Sequence, residues 1–202
     1  MEHDWDVKDL ITAYKRVLQR AIDIIWENTE WKEKTVKHDG YKTTRLIPFF
    51  PSSNEFKRNL RNELLKDWNY AAHYVDSAIK TAYSILSSWR QNYLKGLRRK
   101  KKPTVKREFI RVKTTLMRIE GARTRITIEP YKRYFELDFS KEWFYERVKG
   151  LKVGELIIKE KEFYITFKRK VLRSRRTDPS QDKAYELHAY FYGMNVCQGP
   201  VV

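Results

Sequence analysis

The chain has 202 residues, of which 41% are hydrophobic, and its 43 lysines and arginines against 26 aspartates and glutamates give a formal charge of +17. This hydrophobic content is enough for a folded core and argues against wholesale disorder. No run of about eighteen apolar residues occurs, which argues against a membrane-spanning helix. The acidic N-terminus lacks the apolar stretch of a secretory signal, and a single cysteine, Cys197, cannot form an internal disulfide. We therefore expect a cytoplasmic protein.

The first predicted element is an amphipathic helix. Apolar residues recur at spacings of three and four from Val7 to Ile25, with Asp6 as a suitable N-cap and an end near Asn28. Residues 29–51 are polar and irregular, and they are predicted to form a loop.

Two further helical patterns follow. Ser52 and Glu55 have the spacing of a capping box, which predicts that a second helix begins there. Apolar and aromatic residues at helical spacing from Trp68 predict a third helix that ends at Gly96, because glycine is favoured just after a helix C-terminus. The third pattern either stands alone or continues the second helix through a kink near Trp68.

After Pro103 the pattern changes to that of β-strands. Segments rich in β-branched and aromatic residues occupy residues 108–119, 123–130, 133–139, 154–158 and 162–170. The last two are predicted to pair as a hairpin, and a short helix is predicted for residues 140–150. This number of strands suits a small barrel better than a sandwich. The predicted fold class is α+β, with an N-terminal helical lobe (1–97), a small, mostly antiparallel β-barrel (98–171) and a disordered or irregular tail (172–202).

Positive charge is concentrated in residues 88–133, where sixteen lysines and arginines face three glutamates and carry +13 of the total +17. Such clustering favours nucleic acid as partner, since lysine and arginine displace the counterions condensed on phosphates. The alternative for residues 98–102 is a solvated loop with no binding role. A membrane surface is disfavoured as the partner because the positive charge does not lie opposite a strongly apolar helix face. The candidate phosphate contacts are basic residues of this stretch: Arg90, Lys95, Arg98, Arg99, Lys100, Lys101, Lys102, Lys106, Arg107, Arg111, Lys113, Arg123 and Arg125.

Aromatic residues near the end of this stretch are candidates for stacking on bases. Tyr131, Tyr134 and Phe135 are each explained equally well as part of a barrel core. Of the three, Tyr134 is taken as the candidate binding residue.

The sequence offers no recognisable catalytic constellation. It contains no phosphate-binding glycine loop, no HExxH motif and no nucleophile elbow. Asp138 ends a predicted strand, but no second strand-terminal acid follows that would complete a two-metal site. His188 and Cys197 are too isolated to bind a metal. We therefore predict no catalytic residue, no metal site and no cofactor.

Several segments resemble the TnpB (OrfB) proteins of insertion sequences. These are WNYAAHYVDSAIKTAYSILSSWRQNYLKG in the third helix and, in the same order as in that family, FIRVKTTLMRI, RITIEP, FELDFS, EWFYERVKG, VGELII and FYITFKR. The resemblance covers roughly residues 9–170. TnpB proteins are RNA-guided DNA endonucleases with a helical recognition lobe, a β-barrel wedge domain, a RuvC-like nuclease domain and a zinc ribbon. The helices here are similar to the recognition lobe and the strands to the wedge.

The chain also departs from that family. It begins almost directly in the first helix, where family members have a strand, and its tail does not match the strand that carries the first catalytic aspartate. The resemblance therefore implies a truncated transposon-encoded protein that binds guide RNA and the DNA backbone and lacks the nuclease core. The alternative is a free-standing DNA- or RNA-binding module that acts as a regulator or partner of the full-length transposon protein.

Overall fold

The computed structural model describes residues 7–38, 41–138, 140, 145–159, 162–170 and 186–195. The chain forms two compact units, Asp9–Glu108 and Met1–Lys8 with Phe109–Val202. We call the first the helical unit and the second the strand unit. The division falls later in the chain than the predicted boundary at residue 97.

The helical unit is built on two long amphipathic helices. Its elements are α1 (Lys8–Glu27), β1 (Glu30–His38), β2 (Tyr41–Phe49), α2 (Asn54–Leu65) and α3 (His73–Leu94). The fully buried Tyr14 of α1 places its hydroxyl 3.4 Å from the hydroxyls of both Ser77 and Thr81 on α3. These contacts satisfy a polar group inside an otherwise apolar core. In the part of the chain that the structure describes, no helix is long and apolar enough to cross a membrane.

The predicted loop at residues 29–51 is wrong, because β1 and β2 pair there as an antiparallel hairpin. The pairing runs from Glu30 opposite Phe49 to His38 opposite Tyr41. The two residues between the strands are Asp39 and Gly40 in sequence, a pair typical of two-residue hairpin turns. Proline is tolerated at Pro48 because both strands are edges of a two-stranded sheet.

The helix boundaries also refine the sequence prediction. Ser53, not Ser52, caps α2, since its hydroxyl accepts a hydrogen bond from the amide of Phe56 at 3.1 Å. Residues 66–72 separate α2 from α3, so the third pattern is a helix of its own. Gly96 follows the C-cap of α3 with a φ of 77°, as its position predicts.

The strand unit contains two antiparallel sheets. The strands are β3 (Ile110–Val112), β4 (Met117–Glu120), β5 (Arg123–Glu129), β6 (Arg133–Asp138), β7 (Lys152–Ile158), β8 (Glu162–Lys170) and β9 (Glu186–Asn195), with a 3₁₀ turn at Thr114–Leu116 and a helix, α4, at Tyr145–Val148. One sheet has the order β3-β7-β8-β9 and the other β4-β5-β6. The predicted hairpin of the last two segments is confirmed as β7 and β8.

The α+β class is confirmed, but the pairing of the described strands closes no barrel. The segment predicted as one strand over residues 108–119 is interrupted by the 3₁₀ turn, so its first part pairs with β7 and its second part with β5. The chain thereby leaves one sheet and enters the other. Part of the predicted tail forms a strand, because β9 pairs with β8 along the outer edge of the first sheet; the other tail residues lie outside the described residues.

Candidate nucleic-acid interface

The basic segment, which we define as residues 95–107, begins where α3 ends. The amide of Gly96 donates to the carbonyl of Tyr93 at 3.0 Å, and the amide of Leu97 donates to the carbonyl of Asn92 at 2.9 Å. This pair of bonds is a Schellman motif, which turns the chain sharply off the helix. Lys95, the C-cap residue, lies at the negative end of the dipole of this 22-residue helix, where positive charge is stabilised.

Three residues of α1 hold the basic segment and its neighbour Glu108. Lys15, Gln19 and Asp23 are spaced by four and therefore lie on one face of the helix. Lys15 forms an ion pair of 2.9 Å with Glu108, and Asp23 forms one of 2.7 Å with Lys102. Between them, the Gln19 side chain accepts from the amide of Val105 at 2.8 Å and donates to the carbonyl of Pro103 at 3.4 Å.

An aromatic cluster supports the segment at its centre. Trp26 of α1, Trp31 of β1 and Trp89 and Tyr93 of α3 pack with ring centroids between 4.7 and 6.2 Å apart. The ammonium group of Lys100 lies 4.0 Å from the centroid of the Trp31 ring, within the range of a cation–π interaction. The segment is thus attached to folded structure at several points, which a freely solvated loop would not be.

Six cations of the basic segment remain on the surface. They are exposed and form no ion pair with another described residue: Lys95, Arg98, Arg99, Lys101, Lys106 and Arg107. The chain has no acidic residue between Asp76 and Glu108, although it has ten lysines and arginines there. Within the segment Lys102 pairs with Asp23 and Lys100 lies on Trp31, whereas these six cations keep their hydrogen-bond donors available for a polyanion.

Arg90, another candidate, has a different environment. It is half-buried on α3, and its guanidinium carbon lies 5.7 Å from the centroid of the Phe49 ring in β2. Its Nε is buried and has no hydrogen-bond partner among the described residues. Arg90 therefore contributes to packing of the hairpin on α3 as well as to the charge of this surface.

Three of the four candidates in the strand unit lie beside carboxylates. On the outer face of the three-stranded sheet, Arg123 pairs with Asp138 at 3.3 Å and Arg125 with Glu136 at 3.6 Å, as expected for residues directly opposite in register. In the other sheet Arg111 pairs with Glu155 at 3.0 Å, whereas Lys113, just before the 3₁₀ turn, is half-buried. The sheet face that carries Arg123 and Arg125 therefore has a much lower net charge than the sequence of β5 alone suggests.

Hydrogen bonds fix the acidic member of one of these pairs. The hydroxyl and amide of Ser140 bond to the Asp138 carboxylate and, with the guanidinium of Arg123, hold the pKa of Asp138 below its usual value. The carboxylate is thus charged at neutral pH and keeps Arg123 engaged.

The aromatic candidates separate clearly in the structure. Tyr131 is 96% exposed, Tyr134 is 38% exposed, and Phe135 is buried in the core. The guanidinium carbon of Arg125 lies 3.8 Å from the centroid of the Tyr134 ring, so one face of that ring is covered. Stacking on a base would use the other face of Tyr134 or the ring of Tyr131, which the sequence analysis considered as a candidate but did not select.

Sequence reasoning also missed the residues that position the basic segment. Gln19, Asp23 and Trp31 lie 69 to 86 positions before the residues they hold, and no local pattern links them. Across the described part of the chain, no group of three or more histidine, cysteine, aspartate or glutamate side chains is arranged to hold a metal ion.

Comparison with known proteins identifies relatives of this chain. The family model described as "Uncharacterized protein MJ0013 family" matches residues 10–127. "TnpB-like protein MJ1635" of Methanocaldococcus jannaschii is 47% identical over 83% of this chain and 38% of its own length. "Uncharacterized protein MJ0013" of the same organism is 53% identical over 65% of this chain and 88% of its own length. No solved structure matches. The resemblance to TnpB proteins is thereby confirmed, with the chain spanning less than two fifths of the TnpB-like relative.

Proposed function

The chain belongs to the MJ0013 family and is homologous to part of a TnpB-like protein, and on that premise we propose that it binds nucleic acid through the basic segment of its helical unit. The proposed ligands are the phosphate backbones of a structured RNA, acting as a guide, and of DNA. In this role the chain corresponds to a binding region of a transposon-encoded protein and performs no cleavage.

The observation that carries the proposal is the held position of six exposed cations that form no ion pair with another described residue. Lys95, Arg98, Arg99, Lys101, Lys106 and Arg107 are exposed on a segment that α1 and the aromatic cluster hold in place. A segment that is already ordered loses less conformational entropy on binding than a flexible loop does. Phosphate contacts of this kind set position and affinity without reading sequence.

A second candidate function is a free-standing module that regulates or assists the longer transposon protein. The observation in its favour is that the alignment covers 88% of the MJ0013 protein but only 38% of the longer MJ1635 protein. A partner of the longer protein would co-elute with purified MJ1635 in size-exclusion chromatography. Co-elution only in the presence of RNA would indicate that both proteins bind the same RNA.

The proposal is tested by binding as a function of salt. Filter binding of a structured RNA and of a duplex DNA is measured over a salt series for the wild-type chain and for the double variant Arg98→Glu, Arg99→Glu. If the six free cations each meet a phosphate, the slope of log K against log salt is about −5 for duplex DNA and about −4 for single strands. Neutralising two contacts flattens the slope by about 2, and charge reversal weakens binding further.

The matched control is Arg16→Glu. Arg16 is an exposed arginine on α1, outside the basic segment. The Arg16→Glu variant changes the net charge by the same amount as each substitution of the double variant. The comparison therefore separates the loss of a local phosphate contact from a general effect of net charge. Binding that ignores salt, or a double variant whose salt slope equals that of the wild type, would refute the proposal.

A further inference from the structure

Two cations outside the basic segment face each other on the hairpin of β1 and β2. Lys34 of β1 lies directly opposite Arg45 of β2 in the register of the strands, and both residues are exposed. Neither forms an ion pair with another described residue. Side chains directly opposite on an antiparallel pair have Cβ atoms about 4.5–5.5 Å apart, so two like charges there destabilise the hairpin.

Tertiary contacts bring further cations to the same face of the hairpin. Residues two apart on a strand share a face, so Lys32 lies beside Lys34. The ammonium group of Lys32 lies 5.4 Å from the centroid of the Phe49 ring, and the guanidinium carbon of Arg90 on α3 lies 5.7 Å from the same centroid. We call Lys32, Lys34, Arg45 and Arg90 the hairpin cluster.

The hairpin cluster adjoins the start of the basic segment. Arg45 donates a hydrogen bond from Nη1 to the carbonyl of Leu94 at 3.1 Å, and the next residue along the chain is Lys95. Arg90 and Leu94 are four residues apart on α3 and therefore lie on one face of that helix. The positive surface of the basic segment thus continues past the end of α3 onto the hairpin.

Carboxylates compensate little of the charge of the hairpin cluster. Glu30 forms an ion pair of 2.9 Å with Lys32, whereas Glu33 lies on the opposite face of the hairpin because side chains alternate along a strand. Beyond its first turn, α3 has no acidic residue. Lysine at a sheet edge also discourages pairing with another chain, but a charge of either sign does that, and it does not require two like charges in register. An external anion between the two opposed cations removes their repulsion.

We infer that Lys34 and Arg45 bind a phosphate group between them, with Arg45 positioned by the Leu94 carbonyl. A phosphate supplies the charge and the oxygen acceptors that ammonium and guanidinium donors match. The phosphate comes either from the backbone of a nucleic acid that runs from the basic segment onto the hairpin or from a free phosphate. The first source rests on the proposed function, whereas the second does not.

Lys34→Glu is the decisive variant for the first source. It places a carboxylate opposite Arg45, so a cross-strand ion pair replaces the repulsion, and the variant should melt at a higher temperature than the wild type. Its affinity for duplex DNA should nevertheless fall at least about eightfold at 0.1 M salt, the effect of losing one phosphate contact. The slope of log K against log salt should flatten by about 1–2, because the new carboxylate also occupies Arg45. A residue with only a structural role would not move stability and affinity in opposite directions.

Two further variants complete the series. Lys34→Gln removes one positive charge without adding an acid, and it should flatten the duplex slope by about 0.9. Arg16→Glu is the matched control, because Arg16 is exposed on α1 and lies outside both the hairpin cluster and the basic segment. It changes the net charge as much as Lys34→Glu does and should leave the salt slope at the wild-type value.

Titration with inorganic phosphate tests the second source. The Nε–H group of Arg45 is followed by proton–nitrogen NMR in the wild-type chain and in Lys34→Glu. A saturable shift of this signal in the wild type that is lost in Lys34→Glu would establish a site for free phosphate. A shift that persists in Lys34→Glu would exclude such a site between the two residues.

The outcomes separate this inference from the proposed function. If Arg98→Glu, Arg99→Glu loses binding while Lys34→Glu binds nucleic acid as Arg16→Glu does, and phosphate shifts no Arg45 signal, the inference is wrong and the proposed function stands. If Lys34→Glu weakens binding while Arg98→Glu, Arg99→Glu binds as the wild type, or if the chain binds phosphate at Arg45 but no nucleic acid, the proposed function is wrong and the inference stands. A Lys34→Glu chain that melts below the wild type would contradict the repulsion on which the inference depends.

Discussion

Replacing Gln19 by alanine tests whether α1 positions the basic segment. The side-chain oxygen of Gln19 accepts from the Val105 amide at 2.8 Å, and its nitrogen lies 3.4 Å from the Pro103 carbonyl and 3.0 Å from an Asp23 carboxylate oxygen. Val105 is half-buried, so its amide loses its protein partner without becoming fully solvated. The expected loss of stability is about 1–3 kcal/mol, the usual cost of leaving such a donor unsatisfied.

This magnitude can be measured in two ways. Hydrogen exchange at the Val105 amide should accelerate about 5- to 150-fold if the loss lowers the free energy of local opening by that amount. If the helical unit unfolds as a cooperative domain of its size, its melting temperature should fall by roughly 4–8 °C per kcal/mol.

Nucleic-acid affinity should fall in Gln19→Ala while its salt slope stays constant, since the variant removes order from the segment but no phosphate contact. Gln91→Ala is the matched control, because Gln91 is an exposed glutamine on α3. Exchange at Val105 that is unchanged in Gln19→Ala, or altered equally by Gln91→Ala, would refute the argument that α1 holds the segment.

Two further predictions concern the outer face of the three-stranded sheet. Tyr134→Ala should cost about 1–3 kcal/mol in binding to single strands, with an unchanged salt slope and unchanged binding to duplex DNA, if its free face stacks on a base; a loss shared equally by duplex DNA would contradict stacking. Ser140 and Arg123 lower the pKa of Asp138 in the folded state. The ionised Asp138 therefore stabilises the fold above the pKa that this carboxyl has in the unfolded chain, about 4, and this stabilisation is lost as the pH falls through the folded pKa. Asp138→Asn should therefore melt below the wild type at pH 7, and the difference should shrink below about pH 4; a difference that is constant with pH would contradict this assignment.

Much of the secondary structure follows from local sequence. The helical periodicity of α1 and α3, the end of α3 just before Gly96 and the pairing of β7 with β8 are confirmed, because residue identity and spacing a few positions apart determine them. The hairpin of β1 and β2 also had a local signal in Asp39 and Gly40, but a charged, Lys- and Thr-rich pattern with a proline hides the two strands.

The positive charge of the chain and its concentration before residue 133 are properties of the sequence, whereas tertiary contacts decide which cations are free. Lys100 and Lys102 lie on Trp31 and Asp23, while their neighbours Arg99 and Lys101 have no ion-pair partner among the described residues. Likewise, register alone brings acidic side chains of β6 opposite Arg123 and Arg125. A charge interacts strongly only with groups within a few ångströms, and the groups that are that close come from distant parts of the chain.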